Sequence, residues 1–72
     1  MNLNLFKKIK QEYPALYAVY DVGKYYGVCV EESFYLLNKD TLQTEKSLLR
    51  YELEVIKLIE KSIPIWYGEE SD

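Results

Sequence analysis

Ala15-Leu16-Tyr17-Ala18-Val19-Tyr20-Asp21-Val22-Gly23-Lys24-Tyr25-Tyr26-Gly27-Val28-Cys29-Val30 is the stretch that decides the fold. It is rich in β-branched and aromatic residues and is broken at Gly23-Lys24. A two-residue loop with glycine first suits a type II′ hairpin turn, whose first position needs a positive φ. Strands are therefore expected over Ala15 to Val22 and Tyr25 to Val30. The turn opposes Val22 to Tyr25, Tyr20 to Gly27, Val19 to Val28 and Ala18 to Cys29. Tyr20 across Gly27 would let a large ring cover a bare backbone.

Working downstream, Glu31-Glu32-Ser33 reads as a three-residue turn and Phe34 to Leu37 as a third strand. Phe34 then opposes Val30, and Leu36 opposes Val28. One face carries Tyr17, Val19, Tyr26, Val28, Val30, Phe34 and Leu36. The other carries Leu16, Ala18, Tyr20, Tyr25, Gly27, Cys29, Tyr35 and Leu37. A two-residue turn would slip the third strand by one and swap its faces. The first face is the expected core; the second is apolar but rich in tyrosine.

Helical periodicity flanks the strands on both sides. Leu5, Phe6, Ile9 and Tyr13 share a face, with Asn2 or Asn4 as N-cap and Pro14 as the stop. Asn38-Lys39-Asp40-Thr41 reads as a turn. A long helix is then expected from Thr41 or Thr44 to about Ser62, because Leu48, Leu49, Leu53, Ile56, Ile59 and Ile63 fall on one arc. Glu52 sits within that arc, where a carboxylate must be paired, protonated or near an edge. Pro64 ends the helix, Ile65-Trp66-Tyr67 folds back as a hydrophobic clasp, and Gly68 to Asp72 forms an acidic tail. The fold class is α+β, ordered α-β-β-β-α. A three-stranded antiparallel meander packs against an N-terminal and a longer C-terminal helix, both mainly on one side.

Seventy-two residues make one domain, spanning 1–72, since a second core could not be built from the remainder. The single cysteine, Cys29, excludes an intramolecular disulfide, and with no histidine no four-ligand zinc site can form. No metal or cofactor is expected. The absence of histidine also removes the commonest general acid–base and every Ser–His or Cys–His arrangement, so the chain is expected not to be an enzyme. The acidic pairs Glu31-Glu32 and Glu69-Glu70 read as solvated turn and tail, and Cys29 as a small packing residue. Gly23, Gly27 and Gly68 match no phosphate-binding loop. The N-terminus has no signal-peptide pattern and no run spans a membrane. With a free thiol, that points to the cytoplasm.

The functional expectation is a protein-binding module acting by surface occlusion: a regulator, inhibitor or immunity-type protein. Eight tyrosines in so short a chain are unusual, and Tyr and Trp are enriched at protein interfaces. Tyr20, Tyr25, Tyr35, Trp66 and Tyr67 form the expected aromatic contact. Glu31, Glu32 and Glu52, with Glu69, Glu70 and Asp72, would meet basic ground on another protein. Surplus apolar surface and small size also point to a homodimer. The alternative is a single-stranded nucleic-acid binder stacking bases on Tyr20, Tyr25 and Tyr35. Twelve acidic against nine basic side chains weigh against it. A third reading is a small-ligand binder with its pocket between sheet and helices. In size and element order the chain is similar to several phage- or plasmid-encoded inhibitors, some anti-CRISPR proteins among them, a likeness of shape alone.

Overall fold

The computed structural model describes residues 3–68, with the side chain of Leu3 excepted. The Asn2 cap and the acidic residues Glu69, Glu70 and Asp72 lie outside the described residues. Helix α1 covers Leu3–Glu12 and stops two residues before Pro14, as the restriction on pre-proline backbone requires. Asn4 lies inside α1. Strands β1 (Leu16–Asp21), β2 (Tyr25–Val30) and β3 (Ser33–Asn38) form the expected antiparallel meander. Beyond it come β4 (Thr44–Leu49), helix α2 (Leu53–Lys61) and β5 (Ile63–Tyr67). The sheet has five strands in the order β4-β3-β2-β1-β5, and every neighbouring pair is antiparallel. No helix among the described residues is long and apolar enough to cross a membrane.

The first hairpin forms as the glycine demands. Gly23 has φ +86°, Val22 N–H donates to the Tyr25 carbonyl at 3.0 Å, and Tyr20 faces Gly27. The second hairpin differs from the expectation. Its loop is two residues, Glu31-Glu32, so Ser33 faces Val30, Phe34 faces Cys29 and Leu36 faces Gly27. Glu31 takes φ +55°, a left-handed conformation that glutamate carries at a cost and that its identity does not announce. A β-bulge at Tyr17 in β1 adds a second slip, sending Leu16 to the face of Val19 and Tyr17 to the face of Ala18.

The long C-terminal helix is the larger correction. Thr44–Leu49 is not helix but an edge strand, with Leu48 opposite Phe34 and Ser47 opposite Tyr35. Only Leu53–Lys61 is helical, so the C-terminal helix is the shorter of the two. Adjacent leucines at 48 and 49 suit the arc of a helix, but they also suit the inward and outward positions of a strand. Pairing with the open edge of β3 decided between them. Ile65-Trp66-Tyr67 does return to the sheet, as part of β5 on the far edge, where a proline is tolerated.

Two helices on one side are also corrected: the helices lie on opposite faces. On one, Phe6 and Ile9 of α1 bury against Leu16, Val19, Val28, Val30 and Leu37. On the other, Val55 of α2 buries against Ala18, Cys29 and Phe34, with Leu58 and Ile59 partly buried beside it. The connection from β4 to β5 joins the two sheet edges, roughly 19 Å apart at the usual strand spacing. A helix of nine residues is about 13 Å long, so α2 and its flanks run across that face from edge to edge.

Candidate functional site

Both sheet edges are blunted against strand addition. β4 carries Glu45 and Lys46 and a register shift beside Leu37; β5 carries Pro64 and a register shift beside Tyr20. Charges, proline and bulges are the common devices that keep an edge from recruiting another strand. Of the exposed large apolar side chains, Ile63 and Tyr67 lie on β5 and the other four lie together elsewhere. Leu49, Tyr51, Leu53 and Ile56 are 54%, 64%, 65% and 41% exposed, all within one corner where β4 passes into α2. Leu53 and Ile56 are neighbours at i, i+3 on the outer side of the helix, because Val55, Leu58 and Ile59 are spent on the core.

This corner is tied to the β2–β3 turn. Arg50 N–H donates to the Glu32 carbonyl at 2.8 Å, and its guanidinium donates to the Glu31 carbonyl at 3.4 Å. The guanidinium also sits 5.2 Å from the centre of the Tyr17 ring. With its cation held against backbone and ring, Arg50 leaves the carboxylates of Glu31 and Glu32 at the edge of the patch. Glu52 and Glu54 add two more. Glu52 is the residue before α2, in extended backbone at φ −66° and ψ 140°, and its carboxylate accepts from Leu49 N–H at 3.4 Å. All four acids are exposed, and none has an ion pair among the described residues. Two of them stand at the positive end of the helix dipole, which stabilises them there.

The expected site residues are therefore divided. Glu31, Glu32 and Glu52 gather at this corner. Tyr20 and Tyr67 meet edge to face, ring centres 6.2 Å apart at 88°, on the α2 face of the sheet. Tyr25 lies on that face by strand alternation, opposite Asn38. Tyr35 is on the other face, stacked on Tyr13 at 5.0 Å, and Trp66 stacks on Phe6 at 5.8 Å. Both have become packing for α1. Tyr20, Tyr25 and Tyr35 consequently share no stacking platform. Leu49 and Leu53 carried no separate signal as contacts, because an intact helix arc would have buried them. Tyr51, at the flank of that arc, belongs to the surplus apolar surface the sequence suggests.

The tyrosines beneath α2 are held protonated. Burial, then the adjoining Tyr67 hydroxyl, pushes Tyr20 far above the ordinary tyrosine value. Burial also raises Tyr17, whose oxygen is buried with no conventional hydrogen-bond partner among the described residues and only the weakly polar Cys29 sulfur beside it. The Cys29 thiol is likewise pushed up by burial, which withholds the thiolate that nucleophilic chemistry needs. The corner thus offers apolar area and negative charge, an arrangement suited to contact. Comparison with known protein families, curated proteins and solved structures finds no match for this chain.

Proposed function

We propose that this protein is a non-enzymatic binding module that occludes a basic surface of another protein through the β4–α2 corner. The observation that carries the reading is the exposure of Leu49, Tyr51, Leu53 and Ile56 beside four carboxylates that have no ion pair among the described residues. Apolar side chains of this size, clustered on a small domain with a polar rim, are the composition of a protein contact. Tyr51 is the natural anchor, since a tyrosine buries much area for little rotamer entropy. Glu31, Glu32, Glu52 and Glu54 steer and orient a partner rich in Lys or Arg.

A foreign partner fits better than a second copy. Two copies meeting corner to corner would bring eight carboxylates together, a repulsion that complementary interfaces avoid. The test is affinity capture from the native host with the wild type and a Tyr51→Ser/Leu53→Ser variant, at low and high salt, followed by titration of the purified partner. A basic protein held by the wild type and released by the variant supports the reading. Equal retention by both would remove the corner from consideration.

A further inference from the structure

On the opposite face, the C-terminal half of α1 and the β3–β4 loop enclose a groove of about 360 Å³ that protein contact at the α2 corner leaves unused. Ile9, Leu37 and Leu42 give it an apolar floor. Its rim carries Lys8 and Glu12 on the helix side and Thr41, Gln43 and Thr44 on the loop side. Tyr13 and Thr44 join their hydroxyls across one end. The volume is at the small end of the ~300–1,000 Å³ typical of ligand sites.

The loop wall is built rigidly. Asn38 Oδ1 accepts from the backbone N–H of Asp40 and Thr41, at 2.7 and 3.0 Å. The Asn38 backbone exchanges bonds with Leu42 and Gln43, at 2.7 and 2.9 Å. Gln43 N–H adds a bond to Thr41 Oγ1. Leu42 is held at φ +64°, a conformation that a leucine adopts only when its surroundings impose it. Here that strain turns an apolar side chain into the floor.

Lys8 and Glu12 stand one helical turn apart, the spacing at which opposite charges usually pair with each other. Neither has an ion pair among the described residues. One cation and one anion over an apolar floor are complementary to a small zwitterion with an apolar substituent. We propose that the groove binds a free apolar α-amino acid. Its carboxylate meets Lys8, its ammonium meets Glu12, and its side chain lies on Ile9, Leu37 and Leu42. The hydroxyls of Thr41 and Thr44 and the Gln43 amide complete its polar shell.

Titration with L-leucine, followed through backbone amide NMR shifts, tests this directly. The expected result is saturable shifts centred on Ile9, Leu37, Leu42 and Gln43. Lys8→Ala and Glu12→Gln, both at exposed positions that should leave the fold intact, are each expected to weaken binding at least tenfold. N-acetyl-leucine and leucinamide, which lack the ammonium and the carboxylate respectively, should lose affinity to a similar degree. Saturable binding to none of leucine, isoleucine, valine or methionine overturns the proposal. So does binding that ignores both substitutions, or shifts confined to residues 49–56. None of these outcomes bears on the α2 corner, whose own test is partner capture.

Discussion

Phe34 lies against the bare backbone of Gly27: a Cβ at residue 27 would stand 2.5 Å from the Phe34 Cζ. Phe34 is wholly buried among Ala18, Cys29 and Val55, so its ring has little room to retreat. The glycine is there to admit the ring on which α2 rests. Gly27→Ala is expected to destabilise the protein by about 1–3 kcal/mol, the usual cost of overpacking a filled core. Urea denaturation of the two proteins measures it, and an unchanged midpoint would mean that the layer beneath α2 is looser than described.

That contact also shows where the sequence was legible. Gly23 announces its own positive φ, and the register from Ala18 to Tyr20 follows directly. Glu31 announces nothing, yet its φ of +55° shortens the second loop by one residue and turns Phe34 toward Gly27 instead of toward Val19 and Val28. Both faces of the sheet are covered, so both alternations bury apolar residues and the hydrophobic pattern alone could not choose. Thr44–Leu49 was hidden for a related reason, since its strand state rests on pairing with β3, a long-range choice. The candidate corner was half legible. Its acids Glu31, Glu32 and Glu52 stood out as charges and Tyr51 as surplus surface, while Leu49, Leu53 and Ile56 were assigned to the core arc of a longer helix that does not form.

Glu31 itself offers a test of the turn. Left-handed backbone costs an L residue roughly 1–2 kcal/mol, and glycine is relieved of most of that. Glu31→Gly is expected to raise stability by up to about 1 kcal/mol, the loss of chain entropy offsetting part of the gain. Thermal denaturation checks it. Destabilisation instead would point to a structural role for the Glu31 side chain.

The Asp21–Lys39 pair predicts a pH dependence. Lys39 Nζ lies 2.9 Å from Asp21 Oδ1, and Gly23 N–H donates to the same oxygen at 3.0 Å. The Lys39 hydrogen bond first, then that of Gly23, holds the Asp21 carboxyl below the ordinary aspartate value. A folded-state value below the unfolded one adds stability above pH ~4, and this is lost as pH falls through the depressed value. Asp21→Asn should flatten the acid limb of the stability profile and lower neutral stability only slightly, because the pair is partly exposed. An acid limb identical to wild type would contradict the assignment.

Glu52 supplies a fourth prediction. It occupies the N-cap position of α2 with the right backbone, yet its side chain makes no cap bond to the helix. A shorter carboxylate can reach the free N–H groups of the first turn. Glu52→Asp is therefore expected to stabilise the protein by roughly 0.5–1 kcal/mol, while keeping the negative charge at the corner. Calorimetry should show the higher melting temperature. A loss of stability would mean that the 3.4 Å bond to Leu49 N–H matters more than the cap.

The central claim is that Tyr51 and Leu53 serve a partner and not the fold. The most direct measurement pairs a denaturation curve with partner capture for the Tyr51→Ser/Leu53→Ser double variant. Both side chains are mostly in solvent, so stability is expected to stay within about 0.5 kcal/mol of the wild type. Capture of a basic partner is expected to vanish. An unfolded or strongly destabilised variant would contradict the account by showing that the corner belongs to the core, and undiminished capture would contradict it by placing the contact elsewhere.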